Sequence, residues 1–114
     1  MENSKFKLGG RIWIETPEGK LLGPGRVELL DRIKASGSIR QAALQMKMSY
    51  KQAWDIVNHL NEHFSSPVVI SHRGGKGGGN AVLTDYGQLV VDNFKTFHLK
   101  FREFLTDNSH LLNL

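Results

Sequence analysis

A mainly helical α+β fold, four helices interleaved with two short β-hairpins, is predicted by three features of the sequence. Apolar residues recur at helical spacing in four stretches, and Ser38, Ser49 and Thr84 stand where three of those stretches begin. Short alternating or β-branched runs lie between the helical stretches, bounded by glycine and proline. A chain of 114 residues with 39% hydrophobic and 23% charged side chains suffices for one modest core, and residues 1–114 are expected to form a single domain. No apolar run approaches the roughly 20 residues of a membrane span, and the amino-terminal MENSKFKLGG has no apolar stretch of signal-peptide length. The absence of cysteine excludes disulfides and thiolate metal sites. These features agree with a cytoplasmic protein that has no membrane partner.

The elements follow in order. In residues 11–16 (RIWIET) Ile12 and Ile14 alternate with Arg11, Trp13 and Glu15, and TPEG at 16–19 turns the chain back through Lys20, Leu21 and Leu22. Gly23, Pro24 and Gly25 break the strand and open a helix, proline suiting the first helical turn. Val27, Leu30 and Ile33, joined by Leu29, give that helix an apolar stripe, and Gly37 ends it. The run SIRQ at 38–41 is a capping box, followed by apolar positions Ile39, Ala42, Ala43 and Met46. Only Met46, Lys47 and Met48 separate this helix from a second box, SYKQ at 49–52, whose helix runs to about Phe64. On a helical wheel Ala53, Ile56, Val57, Leu60 and Phe64 share one side and Lys51, Asp55, Asn58 and Glu62 the other. Gln52, Trp54 and His59 fall at the borders. Val68, Val69 and Ile70 form a strand, the glycine-rich HRGGKGGGN follows at 72–80, and Ala81, Val82 and Leu83 pair back. Thr84 caps a long final helix over about residues 84–107, leaving 108–114 as a tail. Along it Val90, Phe94, Phe97, Phe101 and Phe104 repeat at the spacing of a coiled-coil seam, widened by Leu89, Leu99 and Leu105.

The net charge of +4 is unevenly spread: between 38 and 80, Arg40, Lys47, Lys51, Arg73 and Lys76 are offset only by Asp55 and Glu62. A localised basic surface suggests a polyanionic partner. Two capped helices joined by a short turn, the second with a polar outer face, make a helix-turn-helix, and the strand–loop–strand after them adds a wing. The DNA major groove is about as wide as one α-helix, so the second helix can present side chains to base edges. Ser49, Tyr50, Lys51 and Gln52 then lie at the groove entrance, with Asp55 and Asn58 continuing the strip. Lys51 suits a guanine edge or a phosphate, and Gln52 suits adenine. The bland alternative is a solvated face on which Ser49 and Gln52 only cap. Ser38 and Arg40, at the start of the supporting helix, are placed for a backbone phosphate, and Trp54 is expected to pack against a neighbouring helix. Arg73, Gly74, Gly75, Lys76, Gly77, Gly78, Gly79 and Asn80 form the wing tip. Its glycines allow close backbone approach to phosphates or a minor groove. The phenylalanine seam (Val90, Phe94, Phe97, Phe101, Phe104) points to a homodimer.

GSIRQAALQMKMSYKQAWD at 37–55, together with RGGKGGGNAVLTDYG at 73–87, resembles the N-terminal DNA-binding domain of the molybdate-responsive ModE regulators, itself related to the winged helix of LysR-type regulators. The resemblance covers roughly residues 8–105. It implies a bacterial dimeric transcriptional regulator on a palindromic operator, with residues 49–55 opening the recognition helix, 74–79 forming the wing, and dimerisation through the long terminal helix. Two departures follow. The chain stops at Leu114 without the oxyanion-binding domains of the full regulators, so no molybdate site is expected in it. Lys47 occupies the inter-helix turn where many helix-turn-helix proteins place glycine.

An enzyme is not expected. His59 and His63 stand at i, i+4, but no third metal ligand accompanies them, and Lys76 is followed by Gly77 rather than by the hydroxyl of a phosphate-binding loop. Neither a catalytic residue, a metal nor a cofactor is assigned. The rival reading is a winged-helix protein-interaction module whose aromatic terminal helix docks a partner.

Overall fold

The computed structural model of the protein describes residues 5–72 and 80–114. Its elements follow in the order β1 (Ile14–Thr16), β2 (Gly19–Leu22), α1 (Pro24–Ser36), α2 (Ile39–Gln45), α3 (Tyr50–His63), β3 (Val69–His72), β4 (Asn80–Leu83) and α4 (Asp85–Asp107). This is the mainly helical α+β class that the sequence predicts. Within the tail at 108–114, Ser109–Leu112 form a 3-10 turn.

β1 and β2 pair antiparallel with Ile14 opposite Leu22 and Glu15 opposite Lys20, so Leu21 is an extra residue in β2. Successive side chains of a regular strand face opposite ways. The bulge instead turns both Leu21 and Leu22 into the core. β1 begins at Ile14, three residues later than the alternation suggested. The residues before it lie towards α4, where the Phe101 ring closes on Gly10 so tightly that a Cβ there would meet it at 2.9 Å.

α1 buries Val27, Leu29, Leu30 and Ile33 and stops at Gly37, whose φ of 70° suits a residue without a side chain. Ser38 Oγ accepts from the Gln41 amide at 3.0 Å to start α2, and Ser49 Oγ accepts from the Gln52 amide at 3.0 Å to start α3. The other half of the first capping box is replaced, because the Ser38 amide donates to Ser36 Oγ at 3.2 Å. The turn between the helices is a Schellman motif: Lys47 N–H donates to Leu44 O at 3.1 Å and Met48 N–H to Ala43 O at 3.0 Å. Lys47 sits at its left-handed position with φ 57°. Ala42 and Ala43 are buried, and their small side chains let α2 lie close between α1 and α3.

The core is completed by Val57 and Leu60 of α3, Val68 ahead of β3, Ala81 of β4, and Val91 and Phe94 of α4. Each large aliphatic group so buried contributes roughly 1.5–3 kcal/mol. No polar or charged residue is among the buried ones described.

β3 and β4 pair antiparallel, His72 opposite Asn80 and Val69 opposite Leu83. Three contacts fix this hairpin on the helices. Asn61 of α3 accepts from the amides of Val68 (2.8 Å) and Val69 (3.3 Å) and donates to the Val69 carbonyl at 3.0 Å. The Gly37 carbonyl accepts from the Ala81 amide at 2.9 Å. Thr84 Oγ1 donates to Pro67 O at 2.7 Å and accepts from the Gly87 amide at 2.8 Å, which caps α4. A Cβ on Gly87 would fall 2.2 Å from the Val68 carbonyl, so only glycine lets α4 start this close to the hairpin. After Phe94 no residue of α4 is fully buried. The helix therefore leaves the core, and the molecule measures 61 × 27 × 24 Å with a radius of gyration of 17.6 Å, against about 13 Å for a compact chain of this length.

Candidate nucleic-acid interface

α3 presents two unlike faces. Ala53, Val57 and Leu60 are buried, Ile56 and Phe64 are half-buried against the core, and Lys51, Gln52, Asp55 and Asn58 face solvent. The wheel assignment is thereby met, and the candidate strip stands clear on one side. Lys51 Nζ lies 2.8 Å from Asp55 Oδ2, with the two side chains 84% and 62% exposed. Among the described residues the Gln52 carboxamide has no hydrogen-bond partner, while the Gln52 amide is committed to the Ser49 cap. Ser49 is exposed at the helix start, its Oγ occupied by that cap.

The first turns of α2 and α3 meet through a stack. The Arg40 guanidinium lies over the Tyr50 ring at 4.3 Å, and the Tyr50 ring meets Trp54 edge-on with centroids 6.3 Å apart. Trp54 is half-buried and packs against the core, as expected of a border aromatic. A cation over an aromatic face contributes about 0.5–1 kcal/mol at an exposed site. Here it also holds the guanidinium beside the strip rather than leaving it to sweep through solvent. Ser38 serves the α2 cap, and Arg40 keeps its exposed edge.

Of the wing residues, Arg73, Gly74, Gly75, Lys76, Gly77, Gly78 and Gly79 lie outside the described residues. Asn80 is exposed and opens β4. The terminal seam divides. Val90 and Phe94 face inward and belong to the chain's own core, Phe101 is half-buried against Gly10, and Phe97 and Phe104 are 54% and 58% exposed. Ile12, Trp13, Ile14, Phe94, Phe97 and Phe101 line an open groove of about 450 Å³ along this stretch.

Behind the strip a polar chain ties the first hairpin to α3. Arg26 Nη1 donates to the Leu21 carbonyl at 2.9 Å and meets His59 Nδ1 at 2.9 Å, which leaves the His59 proton on Nε2. His63 Nδ1 faces the His59 carbonyl at 3.0 Å, and His63 Nε2 faces Glu18 Oε1 at 3.2 Å. Both ring nitrogens of His63 thus face acceptors, which suits the doubly protonated ring. The backbone bond to His59 and then the bond to Glu18 raise its pKa above the ordinary histidine value. Burial pulls Arg26 the other way, below its usual value. Among the described residues no group of three His, Asp or Glu is placed to hold a metal ion, and no helix is long and apolar enough to cross a membrane.

One residue and one contact that position the candidate strip were not foreseen. Asn61 lies four residues after Val57 and three before Phe64, so a polar side chain on the apolar stripe was the available signal. The Arg40–Tyr50 stack has no signature in spacing, since it joins two helices.

A close helix pair on a three-sided core, a hairpin after it and a projecting final helix define a winged helix-turn-helix. No family model matches the chain, but individual proteins do. It is 35% identical over 103 residues, 90% of its own length and 38% of the relative's, to the molybdenum transport protein ModE of Azotobacter vinelandii. Over 68 residues, 60% of the chain and 26% of the relative, it is 48% identical to the DNA-binding transcriptional dual regulator ModE of Escherichia coli K12. Over 96 residues, 84% of the chain and 36% of the relative, it is 38% identical to the molybdenum-pterin-binding protein MopB of Rhodobacter capsulatus. The chain is thus similar over most of its length to proteins of the ModE type, as its motifs implied, and spans between about a quarter and two fifths of the length of the curated relatives it matches. None of the three names is an enzyme's.

Proposed function

We propose that the protein is a homodimeric, sequence-specific transcriptional regulator whose α3 enters the major groove of a pseudo-palindromic DNA operator. The observation that carries this is the exposed strip of Lys51, Gln52, Asp55 and Asn58 on a helix whose opposite face is buried and whose start is fixed by Ser49. Arg40, held against Tyr50, is in place for a backbone phosphate at the same end. The name of the Escherichia coli relative, a DNA-binding transcriptional regulator, supports the same partner. Exposed Phe97 and Phe104 on the projecting α4 offer the surface on which a second copy would pack. A two-fold dimer then sets its α3 helices one DNA turn or a multiple apart. No role is assigned to molybdenum.

Fluorescence anisotropy with duplexes selected from a randomised pool tests this. Binding should saturate with two chains per duplex and weaken by orders of magnitude between about 50 and 200 mM salt, as released counterions require. The exposed α4 aromatics also fit docking of an unrelated protein. An absence of enriched sequences, or an affinity that salt hardly changes, would favour that reading over DNA.

A further inference from the structure

Asp55 poses a chemical difficulty for a helix that faces DNA. It is the sole carboxylate in the first two turns of α3, and phosphates on both walls of a groove repel it. A pair as exposed as Lys51–Asp55 adds little to fold stability, so stability does not account for its place on the strip. In the major groove the only base donors a carboxylate can accept from are cytosine N4 and adenine N6.

The geometry of the pair narrows this. Lys51 Nζ and Asp55 Oδ2 are 2.8 Å apart, so a donor and an acceptor are presented side by side as one head. A G·C pair offers the matching edge: the adjacent N7 and O6 acceptors of guanine, then the N4 donor of cytosine. An ammonium can take both guanine acceptors while the carboxylate takes the cytosine amine. On an A·T pair the donor lies between two acceptors and the thymine methyl crowds the edge, so the same head meets one acceptor fewer and an apolar group. Resting on the operator reading above, we infer that Lys51 and Asp55 together read one G·C base pair in each half-site. Asp55 supplies the discrimination and fixes which strand carries the guanine.

The test is selection from a randomised duplex pool at one salt concentration with the full chain and with its Asp55→Asn and Lys51→Ala variants. The wild type should enrich an invariant G·C at one position per half-site. Asp55→Asn should cut the preference for G·C at that position roughly tenfold or more, keep the preferences elsewhere, and bind unrelated duplex more tightly because a repelled charge is gone. Lys51→Ala should lose affinity for the same motif. A wild-type motif without an invariant G·C, or one that Asp55→Asn leaves unaltered, overturns the inference while operator binding stands. Failure of the wild type to enrich any sequence overturns operator binding and the inference together.

Discussion

Lys47 holds a left-handed backbone, φ 57°, at the point where α2 must turn into α3. That conformation costs an L-residue roughly 1–2 kcal/mol, because Cβ crowds the following carbonyl. Glycine would avoid the crowding but loses more freedom on folding, which returns about half of the gain. Lys47→Gly should therefore stabilise the protein by about 0.5–1 kcal/mol, seen as a higher urea midpoint with an unchanged slope. A lower midpoint would mean that the lysine makes a contact worth more than the strain. His63 carries the other residue-scale expectation. In its doubly protonated form the ring satisfies the His59 carbonyl and Glu18 together, and its pKa is raised in the fold. A raised pKa stabilises the folded form fully below the unfolded value of about 6.5. The contribution fades as pH climbs through the higher folded value. The tie between the first hairpin and α3 should thus be firmest in mild acid and loosen towards alkaline pH. Histidine titration by NMR should place His63 above 6.5, and Glu18→Gln should move it down. A His63 that titrates at or below 6.5 would show that the ring is neutral and makes only one of its two bonds.

Between elements, the contact that matters most to the site is the one Asn61 makes with β3. Its carboxamide copies a strand edge, taking two backbone amides and returning one donor, and so fixes the start of β3 to α3. Asn61→Ala leaves those partly buried backbone groups unpaired and should cost about 2–3 kcal/mol, with faster hydrogen exchange at Val68 and Val69. Asn61→Asp keeps the acceptor and loses the donor, so its loss should be intermediate. Equal exchange in all three proteins would assign the hairpin's position to Thr84 and Gly87 instead. This clamp also shows what in the chain was legible beforehand. The capping bonds of Ser38, Ser49, Thr84 and Gly37 reach amides or carbonyls within four residues. Those roles follow from local spacing, and helix starts and stops could be placed from them, whereas the bonds of Thr84 to Pro67 and of Gly37 to Ala81 could not. The apolar periodicity of α3 likewise gave its exposed strip, because one helix turn fixes which residues share a face. Leu21 and Leu22 could not both be assigned inward, since a bulge depends on the partner strand. Gly87 reads as an ordinary helix residue until the Val68 carbonyl stands beneath it. Arg40 and Tyr50 belong to different helices, and spacing says nothing of their stack. The candidate residues were thus readable one by one, while the bonds that hold them in place were not.

At the scale of the whole molecule, the seam on α4 does two jobs along its length. The spacing of Val90, Phe94, Phe97, Phe101 and Phe104 identifies one apolar line but not what covers it. The core takes the first two, Phe101 rests on the amino-terminal segment at Gly10, and Phe97 and Phe104 are left facing water on a helix that has already left the core. Two opposite outcomes follow from charging this line. Phe94→Asp buries a carboxylate with no partner in the centre of the fold, and the protein should not fold at ordinary temperature. Phe97→Asp removes an aromatic already 54% exposed in the single chain, so the isolated fold should survive with its helical circular dichroism intact. If Phe97 packs on a second copy, that variant should become monomeric by light scattering. It should also lose operator affinity far more than a surface charge at the seam, distant from α3, could explain, because each copy would then bind one half-site alone. A Phe97→Asp protein that remains dimeric would move the interface to another face of α4, with Leu89 and Leu99 next in line. One that is monomeric yet binds the operator as tightly as before would show that a single α3 and its wing suffice.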